Sequence, residues 1–272
     1  MSIRPTRPPS WYDRFARSAY ETLRGKIRPS SPDQRFLAFS DPNHRLAREL
    51  RIKVPGTHRH STVVSGLGAY AGREIEADEL VLRVAGLFHD ISKKDAPRLF
   101  VEAGLGSRQL PRPIGTVEEL RIILDHPALS AAILQKHGFP LEIIQAVREH
   151  HGTTRSRLSL TPEMRRHIGE HELIYPGPKP STRESSILMI ADSVEAALNH
   201  YRRTNDWPAV PTHEFILGII HRVGTELRAA AQFDDYVFGR FDQQRVEEAM
   251  AKFMRRYYCG LDVDSSSKPP MK

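Results

Sequence analysis

A chain of 272 residues with 40 Lys and Arg against 33 Asp and Glu, a net charge of +7, is long enough to bury a core without cross-links. Its single cysteine, Cys259, excludes an internal disulfide and a cysteine-rich zinc module, so the protein is expected in a reducing, cytoplasmic compartment. No stretch approaches the roughly 18 consecutive apolar residues of a spanning helix, and the N-terminus lacks the apolar core of a signal peptide.

The surplus charge is local. Residues 1–60 hold 13 basic and 5 acidic side chains, which leaves 27 against 28 for residues 61–272. A balanced body argues against a groove that tracks extended nucleic acid. Residues 1–37 therefore form a basic N-terminal arm. Its first ten positions are rich in proline and arginine without periodicity, as in a disordered segment. Trp11, Phe15, Ala19 and Leu23 then recur every four residues, with Arg14, Arg17 and Arg24 off the stripe, which predicts a basic amphipathic helix. Docking on the main domain is the plainer use of that stripe; a weak peripheral membrane contact through residues 11–28 is the alternative.

From residue 38 onward the pattern is helical. Asp41-Pro42 opens a helix to about Lys53, where Pro55-Gly56 breaks it, and Val63, Val64, Leu67 and Tyr70 or Ala71 give the next its apolar face. Asp78 caps ELVLRVAGLFHDI, and Thr116 caps VEELRIIL with Glu119 placed for a capping box. His126 opens a further helix, Pro140 starts LEIIQAVREHH and Gly152 ends it. Residues 182–200, 212–231 and 242–258 complete the set. Segments 104–115 and 174–181 carry enough Pro and Gly to be loops, and loops of that length in a compact domain tend to be functional. No hairpin turn between alternating strands and no βαβ rhythm occurs, so the class is all-α, with residues 38–260 as one domain and 261–272 as a disordered tail.

Histidine carries the chemistry. The chain has 13, of which His44, His137, His167, His171, His200, His213 and His221 sit singly in polar contexts that suit surface or structural roles. The others fall at helix ends or faces beside carboxylates: His60, His89-Asp90, His126 and His150-His151, with Asp192 inside SILMIADSVEAAL. Alone, His89-Asp90 is equally a C-terminal cation with its turn partner. Asp192 is harder to explain that way, because a carboxylate among Ile190, Ala191 and Val194 costs several kcal/mol to bury without a partner or a cation. His150 and His151 point roughly 100° apart and reach one site only at the helix end, where Gly152 puts it. Five imidazoles and two carboxylates form a mixed N/O donor set suited to Mn, Fe or Zn, too many for one tetrahedral ion and enough for two sharing a carboxylate.

That order of ligands resembles the signature of the HD-domain metal-dependent phosphohydrolases. DPNHRLARELRIKVPGTHRHS (41–61), HDISK (89–93), HHGTT (150–154) and YPGPKPSTRESSILMIADSVEAA (175–197) resemble most closely the cytoplasmic HD domain of the seven-transmembrane HD phosphodiesterases that hydrolyse cyclic di-AMP, over residues 38–258. The resemblance implies an HD-domain helical bundle with two divalent transition-metal ions, Mn or Fe, and a metal-bridging hydroxide as nucleophile. It implies His60, His89, Asp90 and Asp192 on the first ion, Asp90 bridging to a second held by His126 and His150, and His151 as a further ligand or phosphate contact. Lys93 would neutralise a phosphate oxygen, and Tyr175, Gly177 and Lys179 would line the pocket of a small nucleotide substrate. Four places depart from the family: Ser92 stands where glycine is usual, FVEAG (100–104) replaces FIENQ, 104–124 lacks the usual asparagine- and proline-containing loop, and HPALS (126–130) replaces HVKDG. All seven ligands are intact and the departures lie toward the substrate. A phosphohydrolase of another small nucleotide, such as a mononucleotide or an alarmone, is thus the alternative, with a non-catalytic ligand-binding module behind it.

Overall fold

The computed structural model describes Glu21 and residues 34–100, 113–204, 207–236 and 238–261. The expected amphipathic helix, the tail from 262 and positions 104–112 of the first loop lie outside the described residues.

The described chain is helical: α1 (Gln34–Ser40), α2 (Arg45–Lys53), α3 (Pro55–Gly72), α4 (Glu79–Phe88), α5 (Val117–Leu124), α6 (His126–Lys136), α7 (Leu141–Glu149), α8 (Pro162–His167), α9 (Arg183–Arg203), α10 (His213–Ala229) and α11 (Arg240–Tyr258). Among the described residues the only β-type pairings are two isolated bridges, Ile114 with Leu160 and Arg155 with Ile174. Helix α1 spans the expected boundary at 37/38, and its Phe36 is buried in the core.

Helix α3 is central, packed by α2, α4, α9 and α11. Its sequence, PGTHRHSTVVSGLGAYAG, has no single apolar stripe because it is covered from several sides. Small residues make that possible. A Cβ on Gly86 of α4 would lie 2.6 Å from Ser65 Cα of α3, so the two backbones meet at a distance that only glycine allows. The first half of α9 is buried without a break from Ser185 to Asp192, which places the aspartate in the interior rather than on a wetted face.

The local signals for helix starts are mostly as the sequence predicts. Asp78 accepts from the Leu80 and Val81 amides, and Thr116 from Glu119. The Glu119 carboxylate turns one residue further back, accepting from Gly115 N–H at 3.0 Å. Asp41 is a correction: it accepts from the Asn43 amide at 2.7 Å in a turn, and His44 caps α2 through the Leu46 amide. An Asx turn uses the same short carboxylate as an N-cap, so sequence alone does not separate the two. The short helix α8 falls in a stretch the sequence gives no apolar stripe for, and it closes a small satellite core of Ile114, Leu120, Ile123, Leu124, Leu160, Met164 and Leu173.

Candidate metal centre

The last carbonyls of a helix have no partner within it, and three histidines in the interior exploit this. His89, His126 and His150 each follow the end of a helix and each donates Nδ1–H to the carbonyl three residues back: Gly86 at 2.8 Å, Ile123 at 2.7 Å and Val147 at 2.5 Å. In the neutral ring that bond fixes the tautomer, leaves Nε2 with its lone pair and turns it inward. The helix ends of α4, α5 and α7 thus aim three imidazoles at one point.

Asp90 occupies that point, 1 % exposed. One oxygen lies 3.1 Å from His126 Nε2 and 3.9 Å from His150 Nε2; the other lies 3.2 Å from His89 Nε2, 3.7 Å from His60 Nε2 and 2.7 Å from Lys93 Nζ. Asp192 completes the ring from α9, 3.0 Å from His60 Nε2, with its second oxygen 3.7 Å from His151 Nδ1. The potential ligand atoms gather into compact sets, His60 with His89 and Asp90, His126 with His150 and His151, and His89 with His150 and Asp192, each within 4.8 Å. All seven predicted ligands are therefore brought together.

Burial makes that arrangement costly without a cation. Both oxygens of Asp90 and the Nε2 atoms of His126 and His150 are buried and make no hydrogen bond of proper geometry, although ion-pair neighbours stand close. Lone pairs converging from imidazole and carboxylate in a dry interior are what a divalent metal takes up, so these residues fit one. The electrostatics divide the imidazoles. Burial pushes His150 well down, with His151, His89 and His126 adding to it, and pushes His151 down to about 3 against the pull of Asp192. At His89 burial is outweighed by Asp90 and Asp192, raising it to about 9; at His60 it is outweighed by Glu195 and Asp192. Asp90 is held well below the carboxylate range, against its burial, chiefly by His89 and Lys93; Asp192 likewise, chiefly by His60 and His89.

The loop at 174–181 reaches this centre through the backbone. Ser156 N–H donates to Leu173 carbonyl at 2.8 Å and Tyr175 N–H to Thr154 carbonyl at 2.9 Å, pairing the loop with the turn that follows His151. Tyr175 accordingly stacks on His151, ring centroids 4.2 Å apart and 17° from parallel. Gly177, at φ +82°, lies against Thr153, and Lys179 is half-buried further along.

Three residues were not singled out by the sequence. Glu149, 4 % exposed, accepts from Ser181 N–H at 2.8 Å, Ser181 Oγ at 2.6 Å and Gln145 Nε2 at 3.1 Å, tying the loop to the end of α7. Gln232 accepts from Thr153 N–H at 2.9 Å from the turn after α10. Glu195 stands 2.6 Å from His60 Nδ1. Only Glu195 had a legible signal, three residues past Asp192 and so on its face of the helix.

A helical bundle that gathers histidines and aspartates in its interior defines a class of metal-binding helical proteins. Within it, the HD domain family matches residues 57–197, and the chain belongs to that family. It is 34 % identical over 173 residues to the cyclic-di-AMP phosphodiesterase PgpH of Bacillus subtilis, covering 63 % of this chain and 24 % of that one. To PgpH of Listeria monocytogenes it is 36 % identical over 204 residues, covering 74 % and 27 %. The chain thus spans about a quarter of the length of these relatives. The crystal structure of the L. monocytogenes PgpH HD domain in complex with cyclic-di-AMP superposes with a TM-score of 0.69 at 29 % identity, covering 80 % of this chain and all of that one. The HD domain is a metal-dependent fold, and among the described residues these histidine–aspartate sets are groups that could hold a metal. No described helix is long and apolar enough to cross a membrane.

Proposed function

We propose that this protein is a two-metal phosphodiesterase that opens a cyclic dinucleotide, cyclic di-AMP, to the linear dinucleotide. The observation that carries it is Asp90, one buried carboxylate set between an imidazole group on each side, in a chain similar to relatives named as cyclic-di-AMP phosphodiesterases. His60, His89, Asp90 and Asp192 would hold one ion; Asp90, His126 and His150, with His151, the other; Mn or Fe suits the donors. When bound, such a pair supplies Lewis-acid polarisation and nucleophile activation for an in-line displacement at phosphorus.

The chain's own residues do the rest. Lys93, 8 % exposed, keeps an ammonium at the wall of the centre, where it meets charge developing on a phosphate oxygen. Burial of His89, Asp90, His126 and His150 keeps bulk water from competing. Tyr175, Gly177 and Lys179 form the side by which the nucleotide enters. On this reading the protein works in the cytoplasm on a small nucleotide. A weak peripheral hold of segment 11–28 on anionic lipid is the alternative to its docking on the domain; under it the full chain should co-sediment with anionic vesicles more than a chain beginning at residue 38, and equal sedimentation refutes that contact.

The departures from the family at FVEAG and HPALS favour one second reading, a metal-dependent phosphohydrolase of another small nucleotide. Metal analysis followed by hydrolysis assays with Mn²⁺ on cyclic di-AMP, cyclic di-GMP and mononucleotides separates them. Turnover of cyclic di-AMP to the linear dinucleotide is expected. Turnover of monoesters alone favours the second reading, and no bound metal with no turnover refutes the enzyme.

A further inference from the structure

Three of the imidazoles around Asp90 are aimed by backbone carbonyls at helix ends. His60 is placed differently. It lies within α3, where the carbonyls of the preceding turn belong to the helix, and it meets a side chain instead. Its Nδ1 is 2.6 Å from Oε2 of Glu195, whose other oxygen accepts from Asn199 Nδ2 at 2.5 Å. Asp192, Glu195 and Asn199 succeed one another at helical spacing on α9, so the residue that faces His60 Nε2 and the residue that holds His60 Nδ1 come from one rigid element. Glu195 is 6 % exposed, and a carboxylate buried to that degree needs such partners.

A carboxylate in this place does more than a carbonyl. It fixes the tautomer and angle of the ring, and its charge also makes the opposite nitrogen a stronger donor. The two sides of the centre are unequal in the same sense. His60 and His89 each stand within 4 Å of both carboxylates, Asp90 and Asp192, whereas His126 and His150 approach only Asp90 that closely and His151 only Asp192. We propose that Glu195, held by Asn199, is the positioning residue of the centre: it locks His60 and makes the His60 side the tighter of two metal positions. The inference rests on the two-metal reading above.

Calorimetric titration of Mn²⁺ into metal-stripped protein tests it without any substrate. The wild type is expected to bind in a tight step and then a weaker one. Loss of a partner behind a metal-binding histidine typically costs about 10- to 100-fold in affinity, so Glu195→Ala should weaken the tight step by that factor. Glu195→Gln, of the same size with an oxygen acceptor but no charge, should fall between, and it decides the matter if the alanine variant loses its helical circular dichroism. His126→Ala should remove the weaker step and leave the tight one. Two indistinguishable steps in the wild type overturn the inference, and so does a tight step unchanged in the Glu195 variants. A wild type that takes up no Mn²⁺ overturns the two-metal reading, and this inference with it.

Discussion

Gly152→Ala separates backbone strain from crowding at the turn that carries His150 and His151. Gly152 sits at φ +50°, a left-handed conformation that costs an alanine about 1–2 kcal/mol. Its Cβ would also lie 2.4 Å from Gln232 Oε1, 2.8 Å from Met189 Cε and 3.3 Å from Pro180 Cδ. Met189 and Gln232 are 0 % and 1 % exposed, so neither has free space, and overfilling such a site costs roughly 1–3 kcal/mol. Pushing Gln232 aside also breaks its bond with the Thr153 amide, about 1 kcal/mol more. Together these give about 4 kcal/mol. Gly138 is the control: it has φ +72° and nothing within 4 Å of its would-be Cβ, so Gly138→Ala bears the strain alone, about 1–2 kcal/mol. At roughly 2–4 °C per kcal/mol, Gly152→Ala should lower Tm by about 8–16 °C and Gly138→Ala by about 2–8 °C. Metal-stripped protein is the sample for these melts, since bound ions would add their own stabilisation. Equal shifts in the two variants refute the packing argument.

Asp90→Ala should abolish both metal uptake and hydrolysis because this carboxylate serves both imidazole groups, while Lys93→Ala should keep the metal and lower turnover; full activity of the Asp90 variant on any substrate refutes the site. Glu149→Ala frees the 175–181 loop by leaving the Ser181 amide without its acceptor, a loss of about 1–3 kcal/mol. Since 1.4 kcal/mol is tenfold, KM should rise about tenfold or more with a smaller change in kcat, and an unchanged KM refutes the tether. Burial, reinforced by Glu195, raises Tyr257 from an ordinary value of 10 to about 12 and raises Tyr258 as well. A pKa raised on folding stabilises the fold fully below pH 10, and that stabilisation is lost as pH climbs through the folded value. Tyrosinate absorbance should thus show a late step near pH 12 that is missing in the Tyr257→Phe/Tyr258→Phe double variant; its persistence there refutes the assignment.

The helix starts at Asp78 and Thr116 were legible because capping is local: a short polar side chain meets an amide two or three residues on. The same locality made Asp41 ambiguous, since its carboxylate closes a turn of similar size. The candidate ligands were legible as types and in order, and the family resemblance grouped them; nothing in their spacing says which nitrogen faces which oxygen. Glu149 was hidden because its partner Ser181 lies 32 positions away, and Gln232 because Thr153 lies 79 away. Side chains that act as props carry no pattern of their own.

By itself, then, the sequence determined the helical class and most helix starts and singled out seven candidate donors, because periodicity, capping and donor chemistry are properties of short stretches. Tertiary packing decided the rest. It brought the ends of α4, α5 and α7 to one point, buried Asp90 among imidazoles from four helix neighbourhoods, and set Glu195 behind His60 across 135 positions of chain. Distances of that kind depend on how α3, α4 and α9 press together around residues as small as Gly86, and only the folded core fixes them.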